Sequence, residues 1–244
     1  MSVNTIIEHL RGALPELAQV VEAGGDNTLP NVDTSKLILS LIRDQVPDTQ
    51  IFRVDDNPDD INCELNLVSS RPLELDRHRI TQTDVYVAKV RAQDRDDSFA
   101  SVARIKQAVD EASYATEITD WLQDYDADAG SFRQNLEISF TVPASSPTAE
   151  LPALLVYEMD TKAERSDTLN HVRQRVTVTY GLVLMTNQPN FSELKQSVLT
   201  SLVGWIASSN HTPLQLKQGD PLETEGGLKL YRLVLEHQYH INGM

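Results

Sequence analysis

Carboxylate side chains form the pattern most suggestive of metal chemistry. Residues 124–130 place aspartates at every second position, as the start of an EF-hand calcium loop does. That loop requires glycine at its sixth position and an acidic residue at its twelfth, where this chain has Ala129 and Asn135. We expect residues 124–130 to form a solvated loop, and neither this segment nor the proline turn at residues 57–58 predicts a bound metal ion. The turn is flanked by four aspartates that are expected to be hydrated: Asp55, Asp56, Asp59 and Asp60.

Histidine and cysteine form no catalytic or metal-binding pattern. His237 and His240 lie three residues apart in a strand-like segment, so they face opposite sides of the strand. His9 and His171 have no His or Cys at ligand spacing and are expected at the surface. The single cysteine, Cys63, excludes an intrachain disulfide and a cysteine-based zinc cluster. With no P-loop and no nucleophile elbow, we expect no cofactor and no enzyme activity, and an enzyme with an unrecognised site stays an alternative.

The charge balance of the chain is strongly acidic. Its 244 residues include 21 Lys and Arg against 36 Asp and Glu, a formal net charge of −15, which argues against a protein that grips nucleic-acid phosphates. No apolar run reaches the roughly 18 residues of a membrane span, and the first ten residues predict no secretory signal. Residues 1–146 carry a net charge of −13 and residues 147–244 only −2. This asymmetry favours two modules with different electrostatic roles.

Two amphipathic helices repeat near the start of the chain. Residues 6–15 match residues 38–47 at a constant offset of 32, and both have the apolar spacing of a helix with one buried face. Later helices are expected to open at Phe99 and at Phe191. Ser98 and Ser192 are suited to their starts, and each helix is followed by a tryptophan that is expected in the core, Trp121 or Trp205.

Alternating apolar and polar residues predict long strands before and after each of these later helices. The strands are expected over residues 79–90, 135–142, 172–184 and 228–241. We therefore predict an α+β fold of two related modules, each a mainly antiparallel β-sheet packed by helices. Residues 34–145 form the acidic module, and residues 1–22 plus 147–244 form the second, with the N-terminal helix packing on the C-terminal module. The alternative is a linear order in which both early helices belong to the first module.

The second module resembles the tail terminator proteins of Mu-like and lambda-like long-tailed bacteriophages. The resemblance covers about half of the chain, including an opening helix with Leu14-Pro15, and residues 173–176 are its most specific part. The first module follows the same plan loosely. The matching segments are LPALLVY at 151–157, NHVRQRVTVTYGLVL at 170–184, LVGW at 202–205, PLQL at 213–216 and the final strand from Tyr231 to Ile241.

The resemblance implies a structural virion protein of the tail-neck region, assembled in the host cytoplasm. Such a protein caps the finished tail tube as a ring, ends tube polymerisation and presents a surface to the head connector or adaptor. Its expected partners are copies of itself, the tail-tube protein and the head connector, and DNA passes through the lumen without specific binding. Another neck component, such as a head-completion or adaptor protein, and a tail-tube subunit are the alternatives.

Two modules in one chain leave the ring stoichiometry open. Terminators of this kind usually form six-membered rings with one module per subunit. Six chains are favoured here because the modules differ by eleven charges, and three chains forming a pseudo-sixfold ring are the alternative. Acidic residues of the first module are expected to face the lumen, where negative walls repel DNA.

The resemblance also suggests roles for particular side chains. Arg173 and Arg175 are expected to pair with Glu158 or Asp160 of a neighbouring subunit, although ordinary solvent-facing positions would explain them equally well. The polar loop at residues 160–170 is expected to contact the tail tube. Its charged members are Lys162, Glu164, Arg165 and Asp167.

Overall fold

The computed structural model describes residues 1–25, 32–45, 50–51, 62–112, 115–127, 130–144, 148–164, 173–222 and 228–242. Within these ranges the chain forms four helices and eleven strands in two largely antiparallel sheets, so the predicted α+β class is confirmed. The helices are α1 (Val3–Ala13), α2 (Thr34–Gln45), α3 (Arg95–Glu111) and α4 (Phe191–Leu202). The strands are β1 (Gln19–Glu22), β2 (Gly24–Gly25), β3 (Gln50–Ile51), β4 (Asn62–Leu75), β5 (His78–Ala92), β6 (Ala115–Asp126), β7 (Ser131–Pro143), β8 (Ala153–Ala163), β9 (Arg173–Thr186), β10 (Gln215–Leu222) and β11 (Lys229–Asn242).

The first sheet has the strand order β1-β8-β9-β11-β10. Only β1 runs parallel to its neighbour, β8, and the other strands pair antiparallel. Helices α1 and α4 cover one face of this sheet and share one apolar core with it, which includes Ile6, Leu10, Tyr180, Leu182 and Val198. We call α1, β1, α4 and β8–β11 the outer unit.

The second sheet has the strand order β3-β4-β5-β7-β6, and β2 pairs with the first residues of β5. Again the first strand, β3, is parallel to its neighbour, β4. Helices α2 and α3 cover one face, and the core between them and the sheet includes Ile38, Tyr86, Ile105, Ile138 and Phe140. We call α2, α3 and β3–β7 the inserted unit, because they lie between β1 and β8 in the chain.

The two units have the same topology. Both run from a helix through a short parallel strand to two long strands, a second helix and two more strands, and both sheets have the equivalent strand order. Their β-bulges also correspond: Val68 and Met159 interrupt the first long strand, and Thr119 and Lys217 interrupt the edge strand. The repeat predicted from the two early helices therefore extends through both units.

The chain passes between the sheets twice, along neighbouring paths. After β1, the amide of Ala23 donates to the carbonyl oxygen of Val156 at 2.9 Å, and the chain continues into β2. On the return path, Gln19 Nε2 donates to the carbonyl oxygens of Glu150 at 2.7 Å and Thr148 at 3.4 Å. Helix α1, which precedes the first crossing, packs against β8 and α4, which follow the second. Whether residues 34–145 and residues 1–22 plus 147–244 fold independently, as the predicted modules require, stays a prediction.

Both later helices have N-cap residues other than those expected. Helix α3 begins at Arg95, because Asp94 is its N-cap and accepts a hydrogen bond from the amide of Asp96 at 2.7 Å. Ser98, the expected cap, is buried one turn inside the helix. Helix α4 begins at Phe191 as predicted, but its N-cap is Asn190, whose side chain makes no capping bond, rather than Ser192. An aspartate suits the positive helix start of α3 better than a serine further along.

Strand β6 was absent from the sequence-based prediction and corrects two expectations. Residues 124–126 belong to this strand and not to a hydrated loop. Trp121 is 42% exposed on it instead of filling the core, and Lys106 Nζ lies 3.7 Å from the centroid of its ring. The strand lies at the edge of its sheet with much of both faces in solvent, so it shows no alternation of burial over its second half. The aspartates at residues 55–60 lie outside the described residues.

A third apolar core joins the two sheets. The outer unit contributes Leu155, Tyr157 and Val183, and the inserted unit contributes Ile80 and Ala115. This contact covers only the second half of β9: residues 181–186 are all buried, whereas burial alternates over residues 174–179. The same strand therefore begins with one face in solvent and ends between two layers of protein.

Candidate assembly surfaces

The free end of the outer sheet carries two of the four predicted interface residues and two members of the predicted tube-contact loop, whose residues 160–163 belong to strand β8 and not to a loop. We call the side chains of Asp160, Lys162, Glu164 and Arg175 the open end. Lys162 Nζ lies 2.6 Å from Asp160 Oδ2, and Arg175 Nη1 lies 3.7 Å from Glu164 Oε2. The hydrogen bond to Asp160, and then its negative charge, raise the pKa of Lys162. Both ion pairs are exposed and contribute little to stability, so these charges are available for other contacts.

Strand register explains which predicted residues meet. Asp160 and Lys162 lie opposite Thr179 and Thr177, and the amide of Glu164 donates to the carbonyl oxygen of Arg175 at 2.9 Å. Alternate residues of a strand share a face, so the open end lies on the face of the sheet opposite α1 and α4.

Glu158 is separated from the open end by the bulge at Met159 and lies opposite Tyr180, a residue of the core beneath the helices. Its Oε1 accepts a hydrogen bond from Thr161 Oγ1 at 2.6 Å. The side chain of Arg173, and Arg165 and Asp167, lie outside the described residues. Pairing of the arginines with a neighbouring subunit stays a prediction, since the one chain shows Arg175 paired with its own Glu164.

The contact between the sheets contains a polar cluster that the sequence did not reveal. The hydroxyl of Tyr157 donates to Asp76 Oδ2 at 3.0 Å, and Arg232 Nη2 pairs with the same oxygen. The ring of His78 packs against Tyr157 with centroids 4.6 Å apart. Burial, and then the Asp76 carboxylate, raise the pKa of Tyr157. Local sequence indicates only the turn that contains Asp76. It does not indicate the contact with Arg232, which is 156 positions away.

Gly181 allows Tyr157 to reach this cluster. The two residues lie opposite each other on β9 and β8, and the tyrosine ring lies across the glycine backbone. A Cβ atom at residue 181 would lie 2.3–2.6 Å from three atoms of the tyrosine side chain, two in the ring and the hydroxyl oxygen. Glycine is therefore needed here for close approach. We call the apolar core between the sheets, together with Asp76, Tyr157 and Arg232, the joint.

Comparison with known proteins adds no identification. No protein-family model and no curated protein matches this chain. In the part of the chain that the structure describes, no helix is both long enough and apolar enough to span a membrane.

Aromatic and histidine side chains form a second buried cluster, between α1 and the far end of the outer sheet. The rings of His211 and His237 are 5.0 Å apart, and His237 Nε2 lies 3.4 Å from the hydroxyl oxygen of Tyr180. Burial, followed by the nearby Met1 ammonium and His211, lowers the pKa of His237 to about 4. His237 and His240 face opposite sides as predicted. Among the described residues, no group of three His, Cys, Asp or Glu side chains could hold a metal ion.

His9 corrects the expectation of a surface histidine. It is half-buried on α1, its Nε2 lies 2.9 Å from the carbonyl oxygen of Ser201, and its ring stacks on Trp205 at 4.0 Å. It thus ties α1 to the end of α4. His171 lies outside the described residues. An open groove of about 600 Å³ runs beside this contact, between α4 and the chain around the end of α1.

Each sheet ends in an edge strand that occupies the equivalent position in the shared topology, β6 in the inserted unit and β10 in the outer unit. In the inserted unit, β6 exposes Trp121, Leu122 (61% exposed) and Tyr125 (53%). In the outer unit, the equivalent strand β10 exposes Leu216 but carries the Lys217 bulge and Pro221. Each of these edge strands has one bulge, and a proline on an edge strand hinders pairing with another chain, so Pro221 makes β10 the better protected edge.

Proposed function

We propose that the protein is a structural component of a long-tailed phage virion that caps the tail tube as a ring, ends tube polymerisation and forms the head-tail joining surface. The observation that carries this proposal is the shared topology of the two units. The outer unit contains the segments that resemble tail terminators, and the inserted unit repeats its strand order and its bulges. One chain thus contains two units with the topology that we propose forms the ring.

The proposed ring surrounds a channel through which DNA passes without specific binding. The net charge of −15 supports this role, because an acidic wall repels phosphate. The partners are other copies of the chain, the tail-tube protein and the head connector or adaptor. Six chains are supported by the different charges of the units, and three chains by their common topology, which would let six units occupy similar positions.

Electron microscopy of the purified protein, combined with native mass spectrometry, tests the proposal. Discrete rings of six or three chains are expected. Long tubes would instead identify a tail-tube subunit, and single chains at all concentrations would contradict ring formation. Addition of purified tail tubes provides the functional arm: rings at tube ends are expected, and tubes should stop growing when the protein is present.

A further inference from the structure

The joint uses different parts of the two units. The inserted unit contributes the end of its sheet where β4 turns into β5, including Leu73, Asp76 and Ile80. The outer unit contributes the opposite end of its sheet, where β8 begins and β9 ends, including Leu155 and Met185. Two units of one topology are therefore joined head to tail, and such a contact can repeat along a series of units.

Because the two units have the same strand pairing, each residue of the joint has an equivalent position in the other unit. When the two units are aligned at their equivalent bulges, Glu164 corresponds to Leu73 and Arg175 corresponds to Thr81. The two residues of each unit lie opposite each other on neighbouring strands. The open end of the outer unit thus includes the counterparts of Leu73, which packs in the joint, and of Thr81, which follows Ile80 of the joint. Its charged side chains are exposed, so this surface has no partner within the described chain.

The inserted unit carries the other counterpart on the face of its sheet opposite α2 and α3. The positions of Leu155, Tyr157, Val183, Met185 and Leu230 in the outer unit correspond to Glu64, Asn66, Lys89, Arg91 and Arg133 in the inserted unit. We call these five side chains the polar face. Glu64 is its acidic member, with Lys89 Nζ at 3.8 Å and Arg91 Nη2 at 4.0 Å. They are partly or fully exposed.

We propose that the open end of one chain docks on the polar face of a second copy, in the geometry of the joint. The inference rests on the proposed function, since it assigns the contact between chains of the ring. Both surfaces carry charges of both signs, and we assign Arg175 to Glu64 of the next chain and Glu164 to its Lys89 and Arg91. The core of the joint is apolar, as is usual for a permanent contact. The contact between chains is polar because both surfaces meet water before assembly.

Cysteine cross-linking between two different variants tests this contact. One chain carries Glu164→Cys and the other Lys89→Cys, and a size tag on one chain identifies mixed dimers. The native Cys63 does not interfere, because it is 1% exposed and burial raises its pKa to about 12. A short bismaleimide is expected to join the two variants when they assemble together. Gln196→Cys on the exposed side of α4, paired with Lys89→Cys, is the matched control and should give no mixed dimer.

The outcomes separate this inference from the proposed function. Mixed dimers from the Glu164 and Lys89 variants, but not from the control, support the docking. Rings by native mass without those dimers would overturn the docking and leave the ring proposal standing. Single chains by native mass would overturn both.

A charge exchange provides a second test that needs no cross-linker. Arg175→Glu is expected to weaken assembly about tenfold, because it places an acid opposite Glu64 of the next chain. Adding Glu64→Arg to the same chain should restore assembly, since the exchanged charges then match between chains. Equal assembly of the single and double variants, measured by sedimentation at several concentrations, would contradict the docking.

Discussion

His237 shows how a single buried side chain makes stability depend on pH. It is 1% exposed, and its Nδ1 has no hydrogen-bond partner. Burial favours the neutral imidazole, so the pKa falls from 6.5 to about 4 in the folded protein. As pH drops below 6.5, the unfolded chain takes up a proton that the folded chain refuses until about pH 4. Folding stability is therefore complete above pH 6.5 and declines between pH 6.5 and 4.

We predict that the His237→Gln variant loses this dependence. Between pH 7 and 5, the free energy of unfolding of the wild type should fall by roughly 1–2 kcal/mol more than that of the variant. Urea unfolding at both pH values measures the difference, in which the contributions of titrating groups that do not contact His237 cancel. Parallel pH profiles for the two proteins would show that His237 is not responsible.

Residues with mixed character gave the least reliable sequence-based expectations. Trp121 and His9 each have an apolar ring and a polar atom, so they fit both a core and a surface. The side chain nearby decides: Trp121 lies under Lys106, and His9 lies on Trp205. Neither neighbour follows from local periodicity.

At the scale of elements, the β4–β5 hairpin is the main polar connection between the sheets. Its turn residues, Asp76 and Arg77, have φ values of 50° and 66°, the left-handed conformation that a two-residue hairpin requires. This turn holds the Asp76 carboxylate toward Tyr157 and Arg232 of the outer unit. Non-glycine residues accept such a conformation when surrounding contacts compensate for it.

We predict that Asp76→Ala lowers the free energy of unfolding by roughly 1–3 kcal/mol, because it leaves Arg232 and the Tyr157 hydroxyl without their acceptor. Glu74→Ala in the same hairpin is the matched control. Glu74 pairs with Arg79 at 3.7 Å with nearly half of its side chain exposed, and its loss should cost less than about 1 kcal/mol. Equal effects of the two substitutions in urea titrations would mean that Asp76 adds nothing to the joint.

For the whole molecule, the order of the chain and the order of packing differ. Helix α1 contributes Ile6, Ile7 and Leu10 to the core of a sheet whose long strands begin only at residue 153. Removing α1 should therefore expose the apolar side chains of β9 and α4 that it covers. The inserted unit has its own helices and its own core.

We predict that residues 147–244 alone do not unfold cooperatively. Joining residues 1–25 to residues 147–244 through a flexible linker of about ten residues, long enough to return along β1, should restore a cooperative transition. Circular dichroism during urea unfolding distinguishes the two variants. If residues 147–244 are as stable alone as with residues 1–25 attached, the predicted grouping of α1 with the C-terminal module is wrong, and the linear alternative is favoured.

Local periodicity predicted those parts of the fold that depend on one element at a time. The buried faces of α1 and α2, the alternation of β5 and β7 and the repeated plan of two modules can all be read from the spacing of apolar residues. The edge strands β6 and β10 were not predicted, because strands exposed on both faces need not alternate apolar and polar residues. Half of β9 also departed from alternation, because a second layer covers it.

The sequence by itself determined the class of each unit, since hydrophobic spacing specifies which side of a helix or strand is buried. Only the tertiary structure decided how the units meet. Asp76 and Arg232 are 156 residues apart, and Tyr157 reaches them because Gly181 has no side chain. The joint, and hence the placement of the open end and the polar face, depends on which ends of two similar sheets pack together. That choice rests on contacts between distant residues, for which local spacing carries no signal.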